Sequence, residues 1–405
     1  MWELARSNKR KSIFLFAGML LLLVGLGFFA GGAFDPQAGP FLGVTLAMFL
    51  WIIQLIISYF AGGSIMLALS GAKPVTRDMH PRLFNIVEEM KIAANLPVLP
   101  KIYVIPEEAP NAFATGRNPQ KSAVAVTAGL LSRLNRDELQ GVIAHEMSHV
   151  LNRDILFMTL VGVSLGSIVL LSNIFLRGMF HSGSSSRYRS RGKGGGQAAL
   201  IFLAIAIVFA ILSPIMAQLL YFAISRRREY LADATGVRLT RYPEGLASAL
   251  EKMSRTDLVL SRVNKVTAAL YIVNPLKRKG MQLADLTATH PPISERIKIL
   301  RSLTYGVNFA AYQKAFESVR GRPASLIPKG GLSDAATVAL RAPSKDTGPV
   351  EPVPAQRIAG DLIMAASGFT FVTCACGLKM KTPPDFRGNS LRCPKCGKVN
   401  SVNAA

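Results

Sequence analysis

Charge is unevenly spread along the chain, and its gaps define the elements. Residues 13–34 contain no charged side chain, and a second uncharged run covers residues 41–72. About 20 apolar residues cross a bilayer as a helix, so the two runs predict a membrane hairpin joined by the short acidic turn at 35–40. Small residues at 30–33 could imitate a signal cleavage site. The run is long for a signal peptide and a second follows at once, so an uncleaved helix is expected. The second run exceeds what a bilayer needs, so its end is expected to tilt, to kink at Gly62-Gly63, or to lie along the interface. Two further uncharged runs, 155–176 and 198–224, predict a second hydrophobic hairpin around a loop rich in Ser, Gly and Arg.

Between the hairpins the pattern turns globular. Leu83, Phe84, Val87, Met90 and Ala94 recur at helical spacing, which predicts a helix over 81–95 packed on one side. Residues 101–105, 111–115 and 122–127 read as short strands, the last two separated by the turn chemistry of Gly116-Arg-Asn-Pro119. Asn135 followed three residues later by Glu138 marks the start of another helix. The fold class expected is therefore an α+β membrane protein: a mainly helical catalytic domain with a small sheet, two transmembrane hairpins and a C-terminal appendage.

Composition changes the picture in two places. Half of the 405 residues are apolar and the net charge is +23. Beside apolar spans, that charge reads as cytoplasmic loops facing anionic lipid rather than as a nucleic-acid surface. Arg6, Lys9, Arg10 and Lys11 flank the first span, which predicts an inner (cytoplasmic) membrane protein with its N-terminus and everything after Lys73 inside. Arg177, Arg187, Arg189, Arg191 and Lys193 in the second hairpin's loop oppose full crossing, so that hairpin either crosses under the dominance of the first or dips without crossing. The four cysteines all lie beyond residue 370, which leaves no disulfide framework for the rest and favours a reducing compartment.

The chemistry concentrates in Gly141-Val-Ile-Ala-His-Glu-Met-Ser-His-Val150. His145 and His149 share a helix face, a spacing that can hold one Zn²⁺, and Glu146 beside them can take a proton from water. This is the His-Glu-x-x-His pattern of zinc proteases; a surface helix with two chance histidines is the plain alternative. Catalytic zinc usually takes a third protein ligand. Glu229 and Asp233, four residues apart, suit a ligand plus an acid that orients a histidine, although Glu229 could equally offset Arg226 to Arg228. An edge strand before such a helix can pair with an extended substrate through its backbone.

His145-Glu-Met-Ser-His149, Arg228-Glu-Tyr-Leu-Ala-Asp-Ala234 and Thr289-His-Pro-Pro-Ile-Ser-Glu-Arg296, in this order among apolar hairpins, resemble the HtpX-type membrane metalloproteases. These are related to the zinc-dependent CAAX prenyl proteases. The resemblance spans about residues 1–303. It implies a gluzincin-like catalytic domain with His145, His149 and Glu229 as zinc ligands and Glu146 as general base. It further implies Asp233 behind His145, His290 at the oxyanion, and Asn111, Ala112 and Phe113 along the substrate strand. His80 and His181 match no motif and are expected on the surface.

The C-terminus departs from that family. Residues 320–360 hold six prolines and read as a flexible tether. Cys374, Cys376, Cys393 and Cys396 then form two pairs, each followed by glycine, suited to one structural zinc in a ribbon. A protein partner or lipid is the expected contact of this ribbon; nucleic acid is disfavoured because Phe386 alone offers a stacking surface. The domains expected are 1–72 (first hairpin), 73–154 and 225–320 (catalytic), 155–224 (second hairpin), 321–360 (linker) and 361–405 (ribbon). The function expected is an integral membrane zinc endopeptidase; the resemblance implies a role in quality control of damaged or misfolded membrane proteins. A prenyl-peptide protease, or a non-catalytic scaffold whose ribbon recruits a partner, is the alternative.

Overall fold

Both N-terminal uncharged runs are helical in the computed structural model: α1 spans Trp2–Phe34 and α2 spans Gly39–Leu69. The structure describes residues 2–181, 196–256, 258, 260, 271–273, 291–304, 306–321, 323, 325–327, 329–332, 337–344 and 354–402. Glycine decides how closely the two helices approach. A Cβ on Gly27 would stand 2.5 Å from the carbonyl oxygen of Gly43, and Gly31 abuts Gly39 still more tightly. Small residues permit such backbone contact in membranes. Helix α2 runs through Gly62-Gly63 without interruption. Those glycines make room for neighbours, Gly62 for Thr159 and Gly63 for the backbone of Gly116.

A four-stranded sheet follows: β1 (Lys73–Pro74), β2 (Lys101–Ile105), β3 (Ala112–Asn118) and β4 (Lys121–Thr127), with α3 (Pro81–Ala93) between β1 and β2. The order is β1-β2-β4-β3, so β3 is an edge strand. It runs antiparallel to β4 with Ala112 opposite Val126 and Ala114 opposite Val124. Thr127 caps the short helix α4 (Ala128–Arg133). Helix α5 (Arg136–Leu151) then starts with the capping box read from sequence: the Asn135 side chain accepts from the Glu138 N–H, and the Glu138 carboxylate accepts from the Asn135 N–H. Most of α5 is buried, since the sheet, α3 and the later helices enclose it.

Helix α6 (Asp154–His181) and helix α7 (Gly196–Thr240) form the second hairpin. Among the described residues, four helices are long and apolar enough to cross a membrane. The fourth apolar run and the Arg228–Ala234 segment belong to one helix, α7, so the domain border expected after 224 falls inside it. Helices α8 (Pro243–Ser254), α9 (Ile293–Arg301), α10 (Phe309–Arg320) and α11 (Lys329–Leu332) close around α5 and the end of α7.

The C-terminal segment is more firmly attached than its prolines imply. Within the expected tether, Val338 pairs with Val307, and Arg341 bonds the Thr240 carbonyl and the Asp137 carboxylate. Helix α12 (Ala355–Ala366) straddles the expected linker–ribbon border. Its Ile358 and Leu362, one turn apart, join Phe371 and the catalytic helices in a single hydrophobic core. The ribbon itself is two hairpins, β5 (Thr370–Thr373) with β6 (Lys379–Thr382) and β7 (Ser390–Arg392) with β8 (Val399–Ser401). His80, expected on the surface, is half-buried at the start of α3 under this docked segment. Burial, aided by the charge of Lys379 and opposed by Asp361, holds its imidazole down at about 4.

Candidate active site

One face of α5 supplies two imidazoles. The Nε2 atoms of His145 and His149 lie 3.3 Å apart, with their rings nearly perpendicular. Helix α7 brings Glu229 against both: its Oε2 is 3.5 Å from His145 Nε2 and its Oε1 is 3.5 Å from His149 Nε2. A tetrahedral zinc with ligand bonds of about 2.0–2.1 Å spaces neighbouring donor atoms roughly 3.3–3.5 Å apart. The donor set and its spacing therefore fit that ion. His145 and Glu229 are almost wholly enclosed, whereas 12% of the His149 side chain is exposed, which marks the open side of the site.

Glu146 is buried and accepts a hydrogen bond from the Ala114 backbone on β3. Burial pushes its pKa up, and the neighbouring histidines offset this only in part. Asp233, one turn beyond Glu229, sets its Oδ1 2.9 Å from His145 Nδ1. Burial opposes charge on Asp233, but Arg296 and His145 hold it below the usual carboxylate range. Burial likewise opposes charge on His145, yet Asp233 and Glu229 outweigh it and raise the imidazole to about 9. The carboxylates thus favour positive charge at this point, whether carried by a proton or by a metal ion.

Arg296 has no role in the sequence reading, although it closes one of the motifs quoted there. It is fully buried and grips Asp233 with two bonds, Nε to Oδ2 at 2.8 Å and Nη2 to Oδ1 at 2.7 Å. Its Nη2 also lies 3.4 Å from His145 Nδ1. Asp154, likewise unassigned from sequence, faces His149 from the first turn of α6. The available signal for Arg296 is its place in the first turn of a helix whose positions three and four further on, Ile299 and Leu300, are core.

The residues expected along the substrate strand are held by the chain itself. The Asn111 amide reads the backbone of Val273 in both directions, donating to its carbonyl at 2.8 Å and accepting its N–H at 3.2 Å. The Ala112 carbonyl accepts from the Ile272 N–H at 3.1 Å. Phe113 is wholly buried and meets Tyr271 edge to face. His290 lies outside the described residues, as does the side chain of His181. In the ribbon the four thiols converge, with Cys374 Sγ 3.4 Å from Cys396 Sγ and Cys376 Sγ 3.5 Å from Cys393 Sγ, and all four are free of disulfides. Each pair sits on a tight turn, where the Gly377 and Gly397 N–H groups donate to the Cys374 and Cys393 carbonyls.

Residues 78–304 match the model of peptidase family M48. A protease HtpX homolog of Thermoanaerobacter pseudethanolicus is 43% identical over 304 residues, which is 75% of this chain and 98% of the relative. Homologs of the same name are 42% identical over 302 residues in Dictyoglomus turgidum and 39% identical over 303 residues in Streptococcus uberis, covering 94% and 100% of those chains. In both cases the match takes in 75% of this chain. Among solved structures, the crystal structure of S. mikatae Ste24p aligns with a TM-score of 0.39 at 21% identity, covering 74% of this chain and 67% of that one. With its His-Glu-x-x-His helix, its carboxylate on the returning helix and its four apolar spans, the chain belongs to peptidase family M48 and is a multi-pass membrane metalloprotease of the HtpX type.

Proposed function

We propose that His145, His149 and Glu229 hold a catalytic zinc and that Glu146 is the general base for peptide-bond hydrolysis. The observation that supports this best is the mutual spacing of the three donors, 3.3 and 3.5 Å, in a buried pocket. Zinc bound there supplies a Lewis acid for the scissile carbonyl and acidifies water. The Glu146 carboxylate, raised by burial, takes a proton from the attacking water and later delivers it to the leaving amine. Asp233 keeps the His145 ring turned toward Glu229, and Arg296 keeps Asp233 charged. His290 is assigned to the oxyanion by its motif. The Cys374, Cys376, Cys393 and Cys396 thiolates hold a second, structural zinc; their convergence supports that reading.

The substrates proposed are unfolded segments of membrane proteins, with the site on the cytoplasmic side of the inner membrane. The His-Glu-x-x-His helix ends at Leu151, close before the apolar run of α6, which supports chemistry at the bilayer surface. Backbone pairing with an edge strand reads no particular sequence.

Glu146→Gln and Glu229→Gln separate the two roles. Glu146→Gln keeps the site's metal and loses at least ~10²-fold in casein cleavage. Glu229→Gln loses metal affinity as well, so added zinc restores part of its rate. Metal content and cleavage measured on both variants in detergent decide; a Glu229→Gln variant with full zinc and full activity overturns the ligand assignment.

A further inference from the structure

His145 and His149 each lean on an acid, and each acid leans on an arginine. For His145 the chain of contacts runs through Asp233 to Arg296. For His149 it runs through Asp154, which lies outside the quoted motifs, and Arg228, which opens one of them but has no role there. Asp154 is wholly buried; its Oδ2 lies 3.5 Å from His149 Nδ1 and its Oδ1 lies 3.3 Å from Arg228 Nη1. Arg228 is itself only 2% exposed, and its guanidinium stacks 3.5 Å above the Phe157 ring.

We infer that Asp154 is a positioning residue for His149 and that Arg228 holds it there, so that the two inner ends of the second membrane hairpin set the aim of two of the three ligands. This rests on the reading of His145, His149 and Glu229 as zinc ligands. An imidazole that offers Nε2 to a metal carries its proton on Nδ1, and a carboxylate facing Nδ1 fixes that tautomer and the ring plane. Local geometry puts Asp154 in reach. Helix α5 stops at Leu151, Arg153 takes a left-handed turn at φ 62°, and Asp154 opens α6 looking back at His149. Arg228 immediately precedes Glu229 on α7, so one pair ties the first turn of α6 to the ligand-bearing turn of α7.

A carboxylate buried this deeply needs a partner charge. Arg228 provides it, and Phe157, one turn into α6, covers the guanidinium and excludes water. The pair could instead serve only as a staple between α6 and α7, and the two roles differ in what they move. A staple changes stability and leaves zinc affinity alone. A positioning residue changes zinc affinity in protein that remains folded.

The test uses the full chain in detergent, with zinc release followed by a chromophoric chelator and the ribbon thiolates, common to all variants, as internal reference. Asp154→Asn keeps the size and the helix-starting character of the side chain and removes its charge. Loss of such an outer partner typically costs 10–100-fold in metal affinity, so Asp154→Asn is expected to release zinc from the His–Glu site at about 10–100-fold lower chelator concentration. Its thermal midpoint in saturating zinc should fall, because the buried Arg228 loses the Asp154 charge, so zinc release is compared at a temperature where the variant remains folded. Arg228→Lys, which retains the charge opposite Asp154, is expected to fall between the two, and it decides the matter if Asp154→Asn does not fold. Wild-type zinc affinity in either folded variant overturns the inference. A wild-type zinc content unaltered by Glu229→Ala overturns the ligand reading and this inference with it.

Discussion

At the scale of single residues, the site is organised by buried charge. Arg296, Asp233, Glu229 and His145 stand within hydrogen-bonding or ion-pair distance of one another with essentially no exposure. Such a cluster is tolerable only when every charge has a counterpart. Arg296→Gln removes one, leaving Asp233 and Glu229 facing each other across His145, and is expected to destabilise the fold by roughly 3–5 kcal/mol. Arg296→Lys keeps the charge and loses the two-pronged grip on Asp233, so it should fold while binding zinc more weakly. Thermal unfolding and zinc content on the two variants check this, and equal stability of Arg296→Gln and the parent would refute it. Sequence does not reveal this arrangement. An arginine followed by Ile-Lys-Ile reads as the polar face of an amphipathic helix, because lysine and arginine are almost never wholly buried unless paired, and the pairing acid lies 63 positions away.

At the scale of elements, short-range signals were legible and long-range ones were not. The capping box at Asn135 and Glu138 marked α5 to the residue because both partners lie within one turn. Absence of charge marked the four apolar helices for a similar local reason. Periodicity could not show that α7 continues from its apolar run to Glu229 as one helix, since the change from apolar to charged composition at Arg226 mimics a boundary. Nor could it show what Gly27, Gly31, Gly39 and Gly43 are for, because their meaning lies in the facing helix. Gly31→Leu places a side chain where the Gly39 backbone sits and should force α1 from α2. The expected result is a fall of several degrees in the thermal midpoint of the purified protein. Leu21→Ala, at a side chain 71% exposed on the outer face of α1, should have little effect. Comparable losses in both variants would show that the glycine contact does not matter.

At the scale of the whole molecule, the C-terminal ribbon is a covering of the catalytic body. Lys379 and Lys381 converge on Asp361, Lys379 also donates to the Met79 carbonyl, and the Thr373 hydroxyl bonds the Asp78 carbonyl. Ile358 and Leu362 bury their side chains in the core. Proline content concealed this in the sequence, since the docking is carried by a few apolar positions in a 12-residue helix. Leu362→Asp should undock α12 and lower the thermal midpoint of the catalytic region; an unchanged midpoint would make the ribbon an independent passenger. Acid offers a second readout. The His80 imidazole beneath this contact sits at about 4, below its ordinary 6.5. The undocked chain therefore binds the proton more readily between those values, and docking should weaken as pH falls from about 6.5 toward 4. Faster amide exchange in α12 at pH 5 than at pH 7.5, and a smaller difference in His80→Gln, is the expected pattern. The residues that complete the active site also lie far apart along the chain: Arg296 meets His145 across 151 positions. Synthesis proceeds from the N-terminus, so the membrane hairpin, the sheet and the His-Glu-x-x-His helix all exist well before Glu229, and Arg296 arrives later still. A nascent chain halted before that point has its histidines and no finished site. On the ligand set proposed above, peptide-bond cleavage is therefore expected only after synthesis has passed Glu229.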